Sequence, residues 1–87
     1  MKVVYVEWLD HSSHSSQVWR SKEEYKELKP ATCRTIGFVV NEEKEFITIA
    51  CTNHHIAETD DYEEENNFSG DMCILKSCIT KLKEVKL

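Results

Sequence analysis

Apolar and polar residues alternate with a period of two along much of this chain, the spacing that sends successive side chains to opposite faces of a strand. Lys2 to Leu9 is β-branched and aromatic, with Val4, Val6 and Trp8 on one face and Val3, Tyr5 and Leu9 on the other. Two apolar faces predict a central strand or one covered on both sides. Thr32 to Val40 and Glu45 to Thr52 read as two further strands. In the second, Phe46, Thr48, Ala50 and Thr52 alternate with Ile47, Ile49 and Cys51. The polar turn from Asn41 to Lys44 joins them, which predicts an antiparallel hairpin. Gly37 marks either a bulge or a position lined by a bulky neighbour. Near the C-terminus, Asp71 to Leu75 is a short strand and Ile79 to Val85 a last one. Lys76-Ser77-Cys78 between them has room only for a 3₁₀ turn.

Three stretches break the alternation. Asp10 to Gln17 is a polar loop, four of its residues serine and two histidine. Ser21-Lys22-Glu23-Glu24 is a capping box, in which Ser21 and Glu24 satisfy each other's backbone N–H groups. It predicts a helix of about two turns ending near Leu28, because Pro30 disfavours helical geometry just before it. So short a helix must dock on the sheet, through Trp19, Tyr25 and Leu28. Asn53 to Ser69 reads as a long acidic connection, with six acids between Glu58 and Glu65.

The order is strand, loop with short helix, long hairpin, acidic loop, short strand, one-turn link, strand. This predicts a mainly β fold: a single domain over residues 1–87, built as a small five-stranded SH3-like or Sm-like barrel with a short helix between the first two strands. An open α+β sheet would give a similar string. A chain of this length buries only about 60–65% of the surface it exposes unfolded. Homo-oligomerisation is therefore expected.

The net charge of −5 argues against a general nucleic-acid binder, which needs a cationic surface to release counterions. A local strip of Lys76, Lys81, Lys83 and Lys86 is the exception. Met1 to Leu9 is too short for a signal peptide, and no apolar run reaches the ~20 residues needed to cross a bilayer. A cytoplasmic protein is expected. Cys33, Cys51, Cys73 and Cys78 lack the spacing of a disulfide framework or zinc ribbon and read as core thiols.

Few residues point to chemistry. His11, His14, His54 and His55, with Asp10, Asp60 and Asp61, have no ligand spacing that a loop would align, so no metal is expected. Two glycines cannot build a phosphate cradle, and no nucleophile elbow is present. The acids from Asp60 to Glu65 crowd one loop rather than forming a rigid pair. No enzyme activity and no cofactor are expected. Binding is the better class: Trp8 and Trp19 flank the serine-rich loop, with Trp8 assigned to the core. Trp19 and Arg20 could stack a base and hold a phosphate. Arg34 and Lys76 could add charge, and Asp10 and His54 complete the candidate ligand-binding set.

A resemblance extends this reading. Val6-Glu7-Trp8-Leu9-Asp10, Trp19, Glu27-Leu28-Lys29-Pro30, the stretch Thr35 to Val40, Ile47-Thr48-Ile49-Ala50 and the closing stretch Ile74 to Ile79 together resemble a group of small phage-encoded proteins. Leu75 stands where that group's pattern has proline, leaving Lys76 in place. In size and setting the group is similar to viral sponge proteins. These form homo-oligomers that sequester cyclic nucleotide or cyclic ADP-ribose immune signals. The resemblance implies an anti-defence sponge acting in the host cytoplasm, with no turnover. The alternatives are an Sm-like RNA-binding protein, or an acidic inhibitor that engages a host enzyme through the loop from Glu58 to Glu65.

Overall fold

The computed structural model describes residues 1–13, 17–56 and 65–87. Its elements are β1 (Val3–Asp10), α1 (Lys22–Tyr25), β2 (Ala31–Glu42), β3 (Phe46–Ile56), β4 (Glu65–Leu75), a 3₁₀ turn (Lys76–Cys78) and β5 (Ile79–Val85). The strands form one antiparallel sheet in the order β4-β3-β2-β1-β5. The expected order of elements holds. The sheet is not closed into a barrel: β4 and β5 are its two edges and do not pair with each other. Register shifts between Val39 and Asn41 and between Glu7 and Trp8 bend it without joining those edges.

The main cluster of the core lies on one face. Val4, Val6, Ile47, Ile49 and Ile74 pack together, each 2% exposed or less, with Trp8, Val39 and Ile79 against them. The alternation in β1 is as expected, and Trp8 belongs to the core, its indole N–H donating to Thr35 Oγ1 at 3.0 Å. β1 is a central strand, flanked by β2 and β5, as expected, and on its opposite face Val3 is buried at the start of the strand. Leu9 there is 40% exposed. Gly37 is a close-approach position rather than a bulge, the bulge lying at Val40. A Cβ at Gly37 would stand 2.5 Å from the Ala50 carbonyl oxygen and 2.7 Å from Ile49 Cγ2.

Three further expectations are corrected. The helix is one turn, not two, and α1 is exposed along its length, with Trp19 fully exposed rather than docked. Without a packed face, only the turn held by the capping box persists. Asn53 to Ser69 is not all loop: β3 and β4 continue past the last β2 pair, Phe38 with Ala50, as a two-stranded ribbon from Thr52–Ser69 to Ile56–Glu65. Cross-strand bonds such as Asn53 Nδ2 to the Asn67 carbonyl, 3.0 Å, offset the poor strand preference of asparagine there. The remainder of the acidic loop lies outside the described residues, as do His14, Ser15 and Ser16. Finally, the cysteines are not core thiols. Cys51 and Cys73 are exposed and Cys33 and Cys78 half-buried, all four free, because they fall on the ribbon, the β4 edge and the outer ends of the sheet. The molecule is elongated, 67 × 26 × 23 Å.

Candidate functional site

The excursion between β1 and β2 carries several exposed apolar side chains. Trp19 is 100% exposed, Val18 58% and Tyr25 46%. Two local devices shape it. In the capping box the Glu24 N–H donates to Ser21 Oγ, and the Ser21 N–H donates back to Glu24 Oε1, both at 3.3 Å. The Ser12 hydroxyl donates to the Lys29 carbonyl, tying the entrance of the excursion to its exit. Between them lies an open groove of about 450 Å³ lined by Ser13, Gln17, Trp19, Arg20, Tyr25 and Leu28. Arg20 donates to the Val18 carbonyl at 3.4 Å and also borders Glu23, Glu24 and Glu27 on the far side of α1.

Of the six expected site residues, the structure brings Trp19 and Arg20 together. The other four lie apart. Asp10 ends β1 and accepts the His11 N–H at 2.8 Å. With Trp8, His11, Cys73 and Cys78 it lines a separate small cleft. Arg34 lies on the outer sheet face beside Glu7, its Nε 3.9 Å from Glu7 Oε1. His54 is on the β3–β4 ribbon, opposite Asn67. Lys76 in the 3₁₀ turn donates to Glu42 Oε2 at 2.9 Å, and its own N–H donates to the Glu45 carbonyl at 2.8 Å. That hydrogen bond and the charge of Lys76 hold the Glu42 carboxyl below its ordinary range. Lys76 therefore buttresses the β2–β3 turn. Among the described residues, no three His, Cys, Asp or Glu side chains converge as metal ligands would.

Sequence reasoning assigned Tyr25 and Leu28 to docking, and the structure makes them groove walls. It also missed a second surface, on the outer face of β2, β1 and β5. The register places Ile36, Tyr5 and Lys83 in one row and Arg34, Glu7 and Lys81 in the next. The Tyr5 hydroxyl donates to Glu7 Oε1 at 2.7 Å, and this bond to a carboxylate raises the phenol pKa above its ordinary value. The alternation of Lys81 and Lys83 along β5 was the legible sign of this face.

No family model, curated protein or solved structure matches the chain.

Proposed function

We propose that this protein is a phage anti-defence sponge: a homo-oligomeric, non-catalytic module that sequesters a nucleotide-derived immune signal of the cyclic nucleotide or cyclic ADP-ribose type in the host cytoplasm. The observation that carries this reading is the pairing of a fully exposed indole, Trp19, with Arg20 over an open groove. An indole left wholly in water is unfavourable by the area of a large aromatic, unless a ligand covers it. A nucleotide has a base that is flat and apolar on its faces, and it carries anionic phosphate. It suits an aromatic stacking surface with a guanidinium beside it. Ser13 and Gln17 supply hydrogen-bond donors and acceptors for the edges of the base or the ribose.

Asp10, Arg34, His54 and Lys76 do not join this groove within one chain, so the proposed ligand set narrows to Trp19, Arg20, Ser13, Gln17 and Tyr25. The SH3-like or Sm-like relation also belongs to this proposal. The strand order and the 3₁₀ link between β4 and β5 agree with it, and the sheet is open.

Melting curves with a panel of cyclic oligonucleotides and cyclic ADP-ribose isomers test the reading. A ligand at ~100 times its Kd stabilises by about 2.7 kcal/mol. For a domain of this size that is a shift of about 10–20 °C in Tm. Trp19→Ala should remove the shift, and heat denaturation should release the ligand intact. No shift with any member refutes the reading, and release of cleaved ligand makes the protein an enzyme.

A further inference from the structure

On the reading of the Trp19–Arg20 groove as a nucleotide site, on which this rests, we infer that the groove selects by phosphate charge. It prefers a nucleotide that brings one charge to Arg20, as a phosphodiester does, over one that brings two or more, as a terminal phosphate or a pyrophosphate does. Glu27 is the residue that sets the preference. The two signal classes thereby narrow to one, the cyclic nucleotide.

Arg20 is the one cation among the described residues that line the groove. The same residue borders Glu23, Glu24 and Glu27 on the far side of α1. Those acids are not equivalent. Glu23 is held by Lys26 at 2.9 Å, which offsets its charge. Glu24 accepts from the Ser21 N–H and hydroxyl at 3.3 and 3.2 Å and is committed to the capping box. Glu27 has no hydrogen bond or ion pair among the described residues, and it stands beside Arg20. From Lys22 to Lys29 the chain has three lysines and three glutamates, so this stretch adds no net charge. The excess at the site is the single charge of Arg20.

One phosphodiester matches that excess. A second charge finds no second cation in the lining and meets the Glu27 carboxylate beyond Arg20. Sites for pyrophosphate gather several cations, or a run of backbone N–H groups at a glycine-rich turn. Among the described lining residues there is no lysine, no second arginine and no glycine. In an open, water-filled groove each unmatched charge lowers affinity about twofold to fivefold, and salt reduces the effect. Stacking on Trp19 is the same for every ligand with the same base, so charge alone separates such a series.

A nucleoside, its 3′,5′-cyclic phosphate, its 5′-phosphate and its 5′-diphosphate carry roughly none, one, two and three negative charges near pH 8. The series, made with adenine, guanine and uracil, is titrated calorimetrically against the whole chain at low salt. The cyclic phosphate should bind tightest, with affinity falling about twofold to fivefold for each charge beyond it, and the spread should narrow as salt is added. Glu27→Gln should raise the affinity of each anion relative to the nucleoside, least for the cyclic phosphate and most for the diphosphate. Circular dichroism checks that the variant is folded. Affinity that rises from the cyclic phosphate to the diphosphate overturns the inference while leaving the groove a nucleotide site. So does a Glu27→Gln variant that scales all four ligands alike. Absence of binding by every member, the nucleosides included, overturns the nucleotide reading and the inference together, so the two failures are distinguishable.

Discussion

Replacing Gly37 by alanine adds one methyl group, and the structure says where it goes. Its Cβ would sit 2.5 Å from the Ala50 carbonyl oxygen, 2.7 Å from Ile49 Cγ2 and 3.1 Å from the Ala50 carbonyl carbon. Two of these three neighbours are backbone, on the strand that supplies Ile47 and Ile49 to the core. Relief therefore requires β2 and β3 to move apart at the Phe38–Ala50 pair rather than one side chain to turn. Overpacking of this kind costs about 1–3 kcal/mol. A domain of this length has a total stability of roughly 4–13 kcal/mol, so the loss is a large share of it. At about 4–8 °C per kcal/mol, thermal unfolding followed by circular dichroism should show Tm lowered by some 4–24 °C. An unchanged Tm would refute the reasoning, because it would mean that the two strands do not approach so closely and that their register differs. A raised Tm would do so more strongly, since alanine is favoured over glycine wherever the space is open.

Three further expectations follow from the same contacts. Glu42→Gln removes a carboxylate whose folded pKa is lowered by Lys76, so its stabilising share is present above the ordinary glutamate range and lost as pH falls through the lowered value. The Tm of wild type should exceed that of the variant near neutrality and converge with it in acid, and a gap independent of pH would contradict this. Tyr5 has the opposite sign: its raised pKa contributes stability below the ordinary tyrosine range that is lost as pH rises through the folded value. Ultraviolet titration should show one tyrosine ionising at lower pH in Glu7→Gln than in wild type. Ile47→Ala should cost about 2–5 kcal/mol in denaturant unfolding, against about 0.5 kcal/mol for Leu82→Ala at the 43% exposed edge position. Equal effects would place the core on the wrong face.

The parts of the fold legible in the sequence are those decided by neighbours in the chain. The alternation in β1 assigns Val4, Val6 and Trp8 to the core face, and the capping box at Ser21 starts α1 where the residues say. The link Lys76–Cys78 is a 3₁₀ turn because three residues allow little else. What stayed illegible depends on distant partners. Asn53, His54 and His55 look like loop residues until Asn66 and Asn67 lie across from them. Lys76 looks available until Glu42, far away in sequence, takes its charge. Trp19 is an ordinary helix anchor on paper, and it is the exposure of α1 along its length that leaves this indole in water.

That difference bears on how the molecule works. Among the described residues its buried core is of valine, isoleucine and alanine side chains, none larger than isoleucine. A small aliphatic core leaves a thin margin over the entropy of ordering the chain. Large apolar groups that would widen this margin, Trp19 and Ile36, are instead 100% and 57% exposed. A ligand that covered them would supply burial that the free chain lacks, so occupancy and stability would be linked in one equilibrium. On the proposed function, that linkage favours tight retention over release. An enzyme needs its product to leave, whereas a sequestering protein gains from every contact that makes the occupied state the stable one.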